Sequence, residues 1–120
     1  MLQNFSTYQF AKEYYWKCKS VKLPRFLYDQ LQRASSSIVL NLAEGSGKRT
    51  AADQRRFYAI AYGSLRECQA ILELERIEDP IIYDLQNQLG AMLFTLSRKP
   101  LTENSTKTNA DANASADDSN

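Results

Sequence analysis

The stretch NLAEGSGKRT, Asn41 to Thr50, decides the fold. Its Gly-Ser-Gly-Lys imitates a phosphate-cradling loop, which would follow a β-strand and make the chain a nucleotide enzyme. That motif needs a glycine, four residues, then Gly-Lys and a hydroxyl. With Gly47-Lys48 as its end, the first glycine falls on Leu42 and the hydroxyl on Arg49, so both positions fail. The preceding segment is helical, because Leu27, Leu31, Ala34, Ile38 and Leu42 recur at three-four spacing. The stretch therefore reads as a helix end, a glycine stop at Gly45 in the left-handed cap position, and a basic turn before the next helix.

Working outward, the chain parses into four helices. The residue before Pro24 is pushed out of helical geometry, and Pro24 suits a first helical position, so one helix covers about 24–44. Thr50-Ala51-Ala52-Asp53 fits a cap pattern and opens a helix over about 51–77, with the stripe Phe57, Ile60, Ala61, Ser64, Cys68, Ile71 and Leu72. Asp79-Pro80 starts a helix over about 80–98 that carries Ile82, Leu85, Leu89, Met92, Leu93 and Leu96. Upstream, Ser6-Thr7-Tyr8-Gln9 has the form of a capping box, with Phe5 and Phe10 placed as a hydrophobic staple. It opens a helix over about 7–21 with Phe10, Ala11, Tyr14, Tyr15, Cys18 and Val21 on one stripe. No segment alternates with period two. Short connections make sequential helices antiparallel, so the expected fold is an all-α, up-down-up-down four-helix bundle.

A chain of 120 residues, 43% of them hydrophobic, supports one modest core, assigned to residues 1–100. Its first residues, MLQNFSTYQF, carry no basic leader, and no run approaches the roughly 18 apolar residues of a membrane span. The expected location is the cytoplasm, with no membrane partner. Cys18 and Cys68 lie in helical patterns and read as small buried thiols. The absence of histidine removes His-activated nucleophiles, His-bearing metal sites and the ordinary neutral-pH proton shuttle.

Charge is unevenly spread. Residues 1–100 hold 14 Lys or Arg against 10 Asp or Glu, a net +4, whereas residues 101–120 hold one Lys against four acids, a net −3. The segment 101–120, nearly devoid of large apolar side chains, reads as a disordered acidic tail.

Polar residues inside the helices carry more information. Arg33, Ser37, Asn41 and Glu44 fall at spacings of four, four and three and share a face, as do Ser64 and Glu67. A hydrogen-bonded cluster between two helices, setting register or an oligomer contact, is one reading. Glu44 and Glu67 as a metal or acid/base pair is another, but di-metal bundles use Glu-x-x-His, absent here, and nothing positions a nucleophile. No catalytic, metal or cofactor residue is assigned, and the chain is expected not to be an enzyme. Basic residues form two groups, Lys12, Lys17, Lys19, Lys22 and Arg25 at the end of the first helix and the turn after it, and Lys48, Arg49, Arg55 and Arg56 near the second turn. Both are candidate nucleic-acid contacts, with Tyr14, Tyr15 and Trp16 as stacking groups beside the first. Alternatively Tyr8, Tyr15 and Trp16 form an apolar subunit interface.

The run Gln30-Leu31-x-Arg33-Ala34-x-x-Ser37-Ile38-x-x-Asn41-Leu42-Ala43-Glu44-Gly45, followed by a basic turn and Ala61-Tyr62-Gly63-Ser64-Leu65-x-Glu67, resembles the bacterial four-helix bundle proteins encoded within intervening sequences of 23S ribosomal RNA genes. The likeness spans about residues 5–97; Leu42 departs from the isoleucine of the pattern, and the tail lies outside it. It implies a ring-like homopentamer, and kinship with the accessory proteins of diversity-generating retroelements, which bind a reverse transcriptase and nucleic acid. It implies no enzymatic activity. Carried over by position, its motif residues are Ser37, Asn41, Glu44, Gly45, Ser64 and Glu67, with a structural role at the junction of the second and third helices. Two functions are expected from these readings: an oligomeric scaffold or adaptor with RNA association secondary to it, or a nucleic-acid binding module that assists a reverse transcriptase.

Overall fold

Four amphipathic stripes cannot stay in water, and each finds its partner on another helix. The computed structural model describes residues 5–98, so the segment 101–120 lies outside the described residues. The elements are α1 (Ser6–Cys18), α2 (Arg25–Ser46), α3 (Ala51–Leu74) and α4 (Pro80–Ser97), with no strand among the described residues. They form a four-helix bundle in which α1 packs on α2 and α4, and α3 packs on α2 and α4; the α2–α3 pairing is the most extensive.

The α2 stripe is as expected: Leu27, Leu31, Ala34, Ile38 and Leu42 are all buried. On α3 the core stripe is Tyr58, Ala61, Leu65, Cys68, Ile71 and Leu72: Ala61, Cys68, Ile71 and Leu72 are as expected, while Tyr58 and Leu65 stand in place of the expected Phe57, Ile60 and Ser64. Phe57 and Ser64 are half-buried and Ile60 is exposed, one flank over from the line that packs on α2 and α4. Ala11, Tyr14 and Cys18 of α1 and Ile82, Leu89 and Leu93 of α4 complete the core. Each fully buried leucine or isoleucine contributes about 1.5–3 kcal/mol relative to its exposed state. Both thiols are unpaired and buried.

Helix ends differ from the sequence reading in instructive ways. Gly45 does not stop α2. It lies inside the helix, which runs to Ser46 with Gly47 as C-cap at φ −92°, and no glycine has positive φ. The true left-handed stop is Arg76, φ 54°, after α3. There Ile77 N–H donates to Leu72 C=O at 3.0 Å and Arg76 N–H to Glu73 C=O at 3.1 Å, the paired bonds of a Schellman motif. This places the end of α3 at Leu74, short of Ile77.

At the start of α1, Ser6 is already helical and Phe5 is the N-cap with no side-chain cap bond, so the expected capping box does not form. Phe5 instead sets its ring 6.2 Å from that of Tyr58. α1 ends at Cys18 because its last carbonyls turn to α2: Gln32 Nε2 donates to Cys18 C=O at 3.1 Å and Tyr28 Oη to Lys19 C=O at 3.0 Å. Pro24 is the N-cap of α2 and Arg25 its first residue. The other two caps form as read: Thr50 Oγ1 accepts from Asp53 N–H at 3.1 Å, and Asp79 Oδ1 from Ile81 and Ile82 N–H, with Pro80 first in α4.

One polar pair crosses the core. Tyr14 Oη donates to Gln86 Oε1 at 2.6 Å, joining α1 to α4. Burial pushes the Tyr14 phenol far above its ordinary value of 10.0, with the neighbouring Cys18 and Cys68 thiols adding to the effect. The same burial pushes Cys18 up to about 12 and Cys68 in the same direction.

Candidate functional site

Beside the core stripe of α2 runs a second line, and beside that of α3 another. The spacing that buries Ile38 and Leu42 puts Ser37 and Asn41 one flank over, facing α3. Ser37 Oγ and Ser64 Oγ lie 2.8 Å apart across the seam, and either can donate. Asn41 Nδ2 donates to Ser37 Oγ at 3.0 Å and to Ser37 C=O at 2.9 Å, locking the hydroxyl from behind. All three residues are half-buried. Ser37, Asn41 and Ser64 of the motif therefore form one hydrogen-bonded unit.

The other motif residues stand around this unit. Gly45 is buried where helix α3 comes closest: a Cβ there would meet Tyr58 Cε1 at 2.8 Å and Phe57 Cβ at 3.0 Å. Its role is close approach. Glu44 is exposed and pairs with Lys48 at 3.1 Å, so it does not join the hydroxyl cluster. Glu67 and Arg33 are exposed, and neither is in an ion pair among the described residues. Glu44 and Glu67 are not brought together with a third metal-binding side chain among the described residues.

Leu40 falls three residues after Ser37 and Ile60 four before Ser64, so both share these flanks; they are 65% and 44% exposed. Sequence reading missed Leu40 as a surface residue and placed Ile60 inside. The signal that would have found them is the i, i+3 and i, i+4 relation to the motif serines.

The two basic groups differ in how much charge they leave unmatched. In the second, Lys48 pairs with Glu44 and Arg56 with Asp53 at 3.9 Å, and both cations lie over the Phe57 ring, at 5.1 and 4.5 Å. Arg55 is half-buried and Arg49 exposed. In the first group only Arg25 is paired, with Asp29 at 3.7 Å, while Lys17, Lys19 and Lys22 make no ion pair among the described residues. Of the aromatics beside it, Tyr14 is core and cannot stack on a ligand. Trp16 is 53% exposed, with Lys12 Nζ 5.8 Å from its ring and 5.0 Å from that of Tyr8; Lys19 Nζ lies 4.7 Å from the ring of Tyr15.

At the α3–α4 connection a hollow of about 350 Å³ is lined by Ile77, Glu78, Asp79, Pro80 and Tyr83. Two of its lining residues are joined, Tyr83 Oη donating to Ile77 C=O at 2.5 Å. Partial burial first, then the nearby Glu73, Glu78 and Asp79 carboxylates, raise the Tyr83 phenol above its usual value. No described helix is long and apolar enough to cross a membrane.

Among curated proteins and solved structures nothing matches. The family model of the 23S rRNA-intervening sequence protein matches residues 6–99, which takes in all four helices and both halves of the serine seam. The chain belongs to the 23S rRNA-intervening sequence protein family.

Proposed function

We propose that this protein is a non-enzymatic, self-assembling scaffold: an up-down-up-down bundle that closes into a ring-like homopentamer in the cytoplasm and presents surfaces to other molecules. The observation that carries the reading is the placement of large apolar side chains in solvent on every helix. Trp16 on α1, Phe26 and Leu40 on α2, Ile60 and Leu74 on α3, and Ile81 and Phe94 on α4 are all exposed. A subunit flanked by neighbours on two sides can cover such side chains against them.

The alternating helix direction is supported by paired contacts. Ser37 meets Ser64 and Gly45 meets Tyr58, so numbers rise on α2 as they fall on α3. The same holds for Tyr62 with Phe94 and Leu65 with Gly90 on α3 and α4. The serine seam then acts as a register pin outside the core, since sliding α2 against α3 by one turn breaks the Ser37–Ser64 bond. Light scattering at tens of micromolar tests the assembly: a mass five times the chain's 13.7 kDa is expected, and a monomer overturns it.

A second reading, single-stranded nucleic-acid binding, is favoured by the exposed Trp16 ring beside Lys12, a stacking group with a phosphate partner. In that role the ring would serve as an accessory to a reverse transcriptase. Binding of a labelled single-stranded RNA that weakens steeply with salt and is lost in Trp16→Ala is the expected result; no binding at physiological salt overturns it.

A further inference from the structure

Two opposite faces of the bundle, one between α1 and α2 and the other between α3 and α4, carry complementary features. The outer flank of α1 and the α1–α2 connection, which bound the first of these faces, are basic and aromatic. Tyr8, Lys12, Trp16 and Lys19 follow one another at spacings of three and four along α1, and Lys22 continues the line in the connection. The α3–α4 face is acidic at the matching end. Glu73 and Glu78 are exposed there beside the hollow lined by Ile77, Pro80 and Tyr83, and the Tyr62–Phe94 ring pair lies further along, centroids 6.1 Å apart, with Phe94 45% exposed. None of Lys19, Lys22, Glu73 and Glu78 is in an ion pair among the described residues.

We infer that the α1–α2 face of one copy docks on the α3–α4 face of the next, with Lys19 and Lys22 against Glu73 and Glu78. This rests on the self-assembly and the alternating helix direction proposed above. With that direction the α1–α2 and α3–α4 connections lie at the same end of the bundle, on opposite sides. A copy added side by side in the same orientation therefore meets acid with base. A neighbour added against the α2–α3 face would instead set basic connection beside basic connection and acidic beside acidic. The contact is heterologous: each copy uses a different face toward each of its two neighbours, and it closes into a ring when the two faces are inclined by the ring's rotation angle. The hollow suits the incoming side chain, since Ile77 and Pro80 line it for an alkyl stem and Glu78 stands at its edge for an ammonium.

Charge reversal tests this. One variant carries Lys19→Glu and Lys22→Glu, so that both faces are acidic; the other carries Glu73→Lys and Glu78→Lys, so that both are basic. None of the four residues is in the core. Each variant alone should keep the helical circular dichroism of the parent, yet fall at least twofold in weight-average mass by light scattering at low salt. An equimolar mixture should regain mass above either component, and the regain should shrink as salt rises. If the parent assembles and either variant keeps the parent mass, or the mixture gains none, the face assignment is wrong while the scaffold reading stands. A monomeric parent overturns both.

Discussion

Tyr14 on α1 and Gln86 on α4 hold each other at 2.6 Å in a largely apolar core. Gln86 is 5% exposed, so its amide depends on this bond. Tyr14→Phe should destabilise the bundle by about 1–3 kcal/mol, the cost of a buried acceptor left unsatisfied. The double variant Tyr14→Phe with Gln86→Leu should recover part of that loss, and a urea-unfolding double-mutant cycle measures the coupling.

Arg76 occupies a left-handed position that glycine takes more easily. Arg76→Gly keeps both Schellman bonds and removes the Cβ penalty, so it should stabilise by on the order of 1 kcal/mol. In a domain of this size that corresponds to a rise in melting temperature of about 4–8 °C by calorimetry.

Two glycines inside helices should respond to alanine with opposite signs. Gly45→Ala drives a methyl to within 3.0 Å of Phe57 Cβ and Tyr58 Cε1, and should cost about 1–3 kcal/mol as α3 is pushed away. Gly63→Ala meets nothing within 4 Å and should stabilise by about 0.5–1 kcal/mol through helix propensity. Chemical denaturation of the pair separates close packing from backbone entropy.

Alkaline pH should unfold the protein through its thiols. Cys18 is raised to about 12 from an ordinary 9.0, and Cys68 is raised too, in each case by burial first. Between the ordinary and the raised values the unfolded chain loses these protons and the folded chain keeps them. Stability is therefore complete below about pH 9 and declines above it, by about 1.4 kcal/mol per pH unit for each thiol that titrates only when unfolded. The Cys18→Ala, Cys68→Ala double variant should show a shallower decline between pH 9 and pH 11 in urea titrations. Both native thiols should also resist alkylation at pH 8 until the chain unfolds.

The parts of the fold legible in sequence were those where a single signal acted alone. The α2 stripe from Leu27 to Leu42 had one apolar line and no rival, and the caps at Thr50 and Asp79 had a side chain of the right type at the right offset. On α3 two lines competed, and only packing against α2 and α4 chose Tyr58 and Leu65 over Phe57 and Ile60. Gly45 misled because glycine serves both left-handed stops and close helix approach, and only the position of the Tyr58 ring tells them apart. Arg76 carried no stop signal at all, since its conformation is imposed by Leu72 and Glu73 carbonyls around it. Within the site, Ser37, Asn41 and Ser64 could be grouped from spacing. The separation of Glu44 from them was signalled only by Lys48 four residues on, with which Glu44 pairs.

The hydroxyl pair of Ser37 and Ser64 has no fixed polarity. If Ser37 donates, the Ser64 hydrogen turns outward; if Ser64 donates, Ser64 offers only lone pairs, and the switch is a rotation of two protons with every heavy atom in place. Asn41 holds the Ser37 oxygen as acceptor in both arrangements. The half-buried seam of this bundle thus contains a point that speaks either hydrogen-bonding language, donating or accepting a hydrogen bond according to what approaches, at almost no conformational expense.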